Sequence, residues 1–199
     1  LLVMLGAAHP ELALPAASTA SKILKEHGLV VRRRTNRRSA PWAGPFSDSQ
    51  APNDTWCADF KGWFRTGDGV RSNPLTISDF ASRYLIACTG LRRPNYEQAR
   101  PVFELVFREF GLPHAMRTDN GPPFSSASLG GLTKLSAWWI KLGILPERIR
   151  PGHPEENGRH ERMHRTLKEA VASPPRASFR AQQRAFDRFI EDYNEVRPH

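Results

Sequence analysis

Cysteine is scarce in this chain: Cys57 and Cys88 are the only two in 199 residues. That is too few for a disulfide framework, and each stands in an apolar run, so both read as small buried hydrophobes in a reducing compartment. Long hydrophobic runs are missing too. Nothing approaches the roughly 18 apolar residues of a membrane span, which excludes a membrane partner from the expectations. The opening LLVMLGAAHPELALPAAS has no basic leader, and His9-Pro10-Glu11 interrupts it, so it does not read as a secretory signal. A cytoplasmic protein is expected. No segment repeats, and the chain has neither an initiator Met nor a gradual end after Arg197-Pro198-His199, so it reads as part of a longer product. Acidic residues are in deficit, 20 against 29 Lys+Arg, for a formal charge of +9 and a pI near 10.2. A surplus of that size suits a polyanionic partner, most often nucleic acid, because each neutralised phosphate releases counterions. A merely well-solvated basic surface is the other reading of the same number.

Hydrophobic residues make up 39% of the chain, enough for a core in a domain of this length. Residues 1–31 hold two short apolar segments, the second spaced as a helix around Ala16, Ala20, Ile23 and Leu24, with Ser18 or Thr19 as N-cap and Gly28 as stop. This reads equally as a helix-turn-helix remnant and as an ordinary helical hairpin. Residues 32–54 read as a basic linker, with Arg32, Arg33, Arg34, Arg37 and Arg38 able to lie along phosphates or simply to be solvated. Residues 55–199 read as the main domain. Three strands are expected up to Gly90, with Thr66-Gly67-Asp68-Gly69 as the first turn and Ala81-Ser82-Arg83 near the second. A helix over Tyr96–Phe110, a strand in HAMRTDNG, a helix in GGLTKLSAWWIKLG, a strand in ILPERIRP and two more helices complete the pattern. The fold class is α/β: a mixed sheet flanked by helices.

Certain carboxylates stand out against that scheme. Asp59 lies within the first strand among apolar neighbours, where Asp is disfavoured. Asp119 ends the strand HAMRTD, a position that ordinary turn chemistry also explains. Glu161 lies in the helix ENGRHERMHRTLKEAVA. There Met163, Leu167 and Ala170 form an apolar face, while Asn157, Glu161, His164, Arg165 and Lys168 share another. Carboxylates converging from separate elements suit Mg²⁺. Asp79, in ISDFASRY, reads as a solvated strand end or a partner of Arg83. Of Trp138 and Trp139 at least one is expected in the core. His160-Glu161-Arg162-Met163-His164 also fits H-E-x-x-H, a zinc-peptidase pattern. The third ligand would have to be Glu169, Glu191 or Glu195, none of which has a companion motif.

WCADFKGWF, RTDNGPPF, RPGHPEENGRHERMHRTLKEA and YNEVRPH together resemble the catalytic core of bacterial insertion-sequence transposases with an Asp-Asp-Glu triad, relatives of retroviral integrases. The resemblance runs from about Pro15 to the last residue. It implies a ribonuclease-H-like fold with Asp59, Asp119 and Glu161 as catalytic and metal-binding residues. Glu155 and Glu156 lie nearby in PEENG, but the N-G match assigns the third carboxylate to Glu161. The family pattern further implies Mg²⁺ or Mn²⁺, as two ions, and metal-dependent cleavage and strand transfer at mobile-element ends. Partners implied are DNA and further copies of the chain, in a bacterial cytoplasm at the nucleoid. Lys168 matches a family position that touches the DNA end, with Arg165, His164 and Asn157 as neighbours in that contact and His160 packed at the border of the apolar face. A catalytically inactive DNA-binding relic is the competing expectation, and a zinc metallopeptidase the remote one.

Overall fold

The computed structural model describes residues 2, 5, 9–29, 46, 49–126, 131–149 and 158–195, the side chains of 158–161 excepted. Contacts divide the chain into Leu1–Arg37 and Arg38–His199. In the first unit, α1 (Ala17–Glu26) starts two to three residues earlier than the hydroxyl residues suggest. Its N-cap is Ala16, without a side-chain cap, and Gly28 ends the segment at φ 69°. None of its residues is buried. The helix expected before it falls almost wholly outside the described residues, as do Arg32, Arg33, Arg34, Arg37 and Arg38.

The second unit is a six-stranded mixed sheet with helices on both faces. Its strands are β1 (Thr55–Phe60), β2 (Phe64–Arg65), β3 (Arg71–Asp79), β4 (Leu85–Leu91), β5 (Ala115–Thr118) and β6 (Leu145–Arg148). β3 lies between β1 and β4, antiparallel to both, and β5 and β6 follow parallel on the far side of β1. The stretch read as one first strand is two. The chain leaves the ladder at Lys61-Gly62-Trp63, with Gly62 at φ 83°, and rejoins β3 at Phe64. An L-residue side chain pays a steric cost at that φ, so glycine is what permits the break.

Alternation along the strands sorts the core into two layers. Trp56, Ala58, Leu75, Ile77 and Met116 face α2 (Tyr96–Phe110) and α3 (Lys134–Lys141). α2 is capped by Asn95, whose side chain accepts from Gln98 N–H, and ends at Gly111, φ 84°. It buries Ala99, Phe103, Val106 and Phe107, four and three residues apart, and leaves Leu105 64% exposed. α3 opens with a Thr133/Ser136 capping box and inserts Trp139 edge-on against Phe103 at 5.0 Å, while Trp138 is only partly buried.

The opposite layer packs Leu85 and Cys88 against α4 (Gly158–Leu167) and α5 (Phe179–Glu195). α4 passes into a π-helical turn, Lys168–Ala172. Its wider winding shifts the buried face by one position. Met163 and Leu167 are buried as expected, but Ala170 is exposed, and Val171 and Ala172 take its place. Both cysteines are buried, as expected. The β2–β3 turn reaches across to the start of α5. Gly67 N–H donates to Arg176 O, and Phe179 N–H donates to the Asp68 carboxylate at 3.0 Å.

Candidate active site

Asp59 stands opposite Thr76 in the β1–β3 register, and Thr76 stands opposite Cys88 in turn. All three side chains therefore point to the layer covered by α4. β1 and β5 run parallel with Ala58 beside Thr118, and the residue after each is an aspartate: Asp59 within β1 and Asp119 immediately beyond the end of β5. The two aspartates thus lie at the same end of two adjacent parallel strands. Glu161 is carried by α4, on the same side of the sheet; its side chain lies outside the described residues.

His164 ties the helix to the first carboxylate. Its side chain reaches the sheet, 5% exposed, with Nε2 2.7 Å from Thr76 Oγ1. Thr76 Oγ1 in turn donates to the Asp59 carbonyl at 3.1 Å. A hydroxyl has one hydrogen, and a carbonyl only accepts, so Nε2 carries the proton and donates to Thr76. Nδ1 then faces Asp59 Oδ2 at 3.7 Å. The His164 ring is buried against Thr76 and borders the cleft at Asp59. Thr76 carried no signal in the sequence, because a threonine in a strand needs no explanation.

Asp59 is 17% exposed and opens into a cleft of about 500 Å³ that Phe60, Lys61, Gly62, His164, Arg165 and Lys168 also line. Arg165, on α4, and Lys168, at the start of the π-helical turn, are exposed and line the cleft. Lys61, two residues after Asp59, joins them from the other wall. Asn157 lies outside the described residues.

Asp119 is half-buried, and its loss of water raises the carboxyl pKa above the usual 3.8, partly offset by the Gly121 N–H that donates to Oδ1 at 3.0 Å. Next to it, Asn120 donates Nδ2 to Ile149 O, while its Oδ1 is buried with no partner among the described residues. A carboxylate short of water beside an unmatched carbonyl oxygen is a donor set that a hard cation suits. Two residues before Asp119, Arg117 forms a buried ion pair with Glu147 on β6, Nη2 to Oε2 2.9 Å, and its guanidinium lies over the Phe46 and Phe80 rings at 4.0 and 4.6 Å.

Two expectations change. Asp79 is neither solvated nor bonded through its carboxylate to Arg83. It is 4% exposed and accepts from Ser82 N–H and Oγ and from Asn53 N–H, closing the β3–β4 turn and tying residues 53–54 to the sheet. The zinc reading fails on orientation. His164 is turned into the sheet against Thr76, whereas Glu169, Glu191 and Glu195 are exposed, and no group of three metal-binding side chains occurs among the described residues.

Residues 49–154 match the integrase core domain, and residues 142–199 match a second model of the same description. An uncharacterized protein of insertion element IS407 from Burkholderia multivorans is 27% identical over 180 residues, covering 89% of this chain and 62% of its own length. A counterpart from insertion element IS476 of Xanthomonas euvesicatoria is also 27% identical, over 89% of the chain and 50% of its own length. The Gag-Pol polyprotein of baboon endogenous virus is 37% identical over 97 residues, 49% of this chain and 5% of the polyprotein. This chain therefore spans about half to two thirds of the length of its insertion-element relatives. Among solved structures, a chain of a simian T-cell lymphotropic virus intasome superposes with TM-score 0.62 and 20% identity, over 82% of this chain and 56% of that one. The magnesium-bound HTLV-2 integrase catalytic core domain gives 0.57 and 16%, over 75% and 92%. The fold shared with them is the ribonuclease-H-like one.

Proposed function

We propose a function from one premise: the chain belongs to the integrase core domain family. It is the catalytic core of a transposase that cuts DNA at the ends of a mobile element and joins them to target DNA. The observation that carries this reading is the placement of two aspartates at the same end of adjacent parallel strands, Asp59 near the end of β1 and Asp119 just past β5, in the sheet against which the helix bearing Glu161 packs.

The carboxylates of Asp59, Asp119 and Glu161 fit a pair of divalent cations, Mg²⁺ or Mn²⁺, which when bound supply activation of the attacking hydroxyl and stabilisation of the leaving oxygen. The protein's own contribution is placement. Thr76 and His164 fix Asp59, and the Asp119 turn is closed by Gly121. Arg165 and Lys168 line the cleft and neutralise phosphates on the strand being cut. The attacking group is water in cleavage and a DNA 3′-hydroxyl in joining, with no covalent link to the protein. The protein works as a homo-oligomer on DNA in the bacterial cytoplasm, beside the nucleoid.

The test is nicking and strand transfer on the element's own ends with Mg²⁺ or Mn²⁺, parent against Glu161→Gln. Activity in the parent and its loss in the variant, with DNA binding kept, are expected. Equal activity in both shifts the third carboxylate to Glu155 or Glu156. Binding without cutting by either protein leaves a non-catalytic DNA-binding core.

A further inference from the structure

The break between β1 and β2 leaves three side chains that the reaction above does not use. Lys61 lines the same cleft as Asp59, while Phe60 between them packs against Phe124 in the other layer. Lys61 and Gly62 both line the cleft, across from Arg165 and Lys168. Immediately beyond, Trp63 is 56% exposed, the most exposed tryptophan for which burial is described. Its ring is not part of either core layer. One face carries the Arg71 guanidinium, 4.5 Å from the ring centroid. Arg71 itself is exposed at the start of β3.

A cation in the cleft followed by an exposed indole with a guanidinium on one face is the combination that binds unpaired nucleic acid: charge for phosphate, aromatic surface for a base. We infer that Lys61, Trp63 and Arg71 form a binding platform for an unpaired DNA strand, continuous with the cleft at Asp59. Lys61 takes a phosphate of the strand opposite Lys168, and Trp63 stacks a base next to it. Gly62 makes the geometry possible: its φ of 83° turns the chain out of the ladder between the phosphate contact and the stacking surface, with nothing within 4 Å of a Cβ placed there. This rests on the proposed action on DNA and adds to it a contact surface for unpaired bases beyond the carboxylates.

The experiment measures binding of labelled oligo(dT) and of a blunt mixed-sequence duplex of equal length, across a salt series, for the parent, Trp63→Ala, Trp63→Phe, Lys61→Ala and Lys141→Ala. Trp63→Ala is expected to weaken oligo(dT) binding by roughly 5- to 140-fold, the range for one stacked base, and to leave the duplex nearly unaffected. Trp63→Phe keeps most of the affinity. Lys61→Ala lowers the slope of log affinity against log salt by about 0.7, one single-strand phosphate, while Lys141→Ala, remote at the end of α3, does not. Parental oligo(dT) affinity in Trp63→Ala overturns the platform. So does an equal loss on strand and duplex accompanied by a change of oligomeric state in sedimentation, which would make Trp63 a contact between copies. If the parent binds neither DNA, the proposed function fails first and the platform with it.

Discussion

His164 shows how one side chain can serve a site without touching the reacting atoms. It joins α4, which carries Glu161, to the Asp59 backbone through the Thr76 hydroxyl, with its other ring nitrogen 3.7 Å from the Asp59 carboxylate. Removing a partner that orients a metal-binding side chain typically costs 10- to 100-fold in affinity or activity. His164→Ala is therefore expected to lose roughly that much strand transfer, with DNA affinity unchanged. His164→Gln, which can still donate to Thr76, should recover part of it. A fall in DNA affinity instead would return His164 to the DNA-contact role. Asp119 makes a second case. Burial raises its pKa, so its charge is held at a cost in the folded protein. Asp119→Asn keeps an acceptor for Gly121 N–H and removes that charge. It should abolish catalysis while making the protein slightly more stable at neutral pH without metal, by less than about 1 kcal/mol, or roughly 2–4 °C in Tm at most. A lower melting temperature would show that the carboxylate is satisfied in place.

The clasp between the β2–β3 turn and α5 belongs to the scale of elements. Asp68 accepts from the Thr66 hydroxyl and from Phe179 N–H, which holds its pKa below 3.8. The sign follows from linkage. A carboxylate with a depressed folded-state pKa contributes stability above its unfolded value, and that contribution is lost as pH falls through the folded value. Asp68→Asn should thus lower Tm near neutral pH, with the difference from the parent shrinking below about pH 4. Thermal melts at stepped pH decide it; a difference that persists unchanged into acid removes the charge from the explanation. Much at this scale was legible in the sequence. α2 carries its boundaries in Asn95 and Gly111, and the strand pattern with Asp59 as the odd carboxylate marks the site. What was not legible arises from contacts between distant segments. The break at Gly62 looks like continued alternation, and the π turn after Leu167 cannot be read from a spacing that assumes 3.6 residues per turn. Asp79 looked solvated because Asn53, which donates to it, is 26 residues away.

For the molecule as a whole, the contact division after Arg37 predicts that residues 1–37 can be removed without unfolding the rest. A chain starting at Arg38 should melt at the parent's temperature. It should also bind DNA more weakly, the salt slope falling by up to about 0.9 for each duplex phosphate given up by Arg32, Arg33, Arg34 and Arg37. Unchanged binding would assign those arginines to solvent, and a lower Tm would tie the first unit to the stability of the core. Here the sequence showed charge and composition well, and the arrangement poorly. The +9 balance pointed to DNA, but nothing in HAMRTD or LPERIR announced that Arg117 and Glu147 meet inside the sheet.

That buried pair limits how the gene can drift. Losing Arg117 alone takes this cation from Glu147 beside the strand that precedes Asp119, and losing Glu147 alone takes the carboxylate from the buried arginine; breaking such a pair from one side costs about 3–5 kcal/mol, whereas exchanging both for well-packed apolar residues can be neutral or better. Inheritance should therefore treat the two codons as one character. In an alignment of descendants, positions 117 and 147 should change together or not at all, and a lineage carrying only one of the changes should be short-lived.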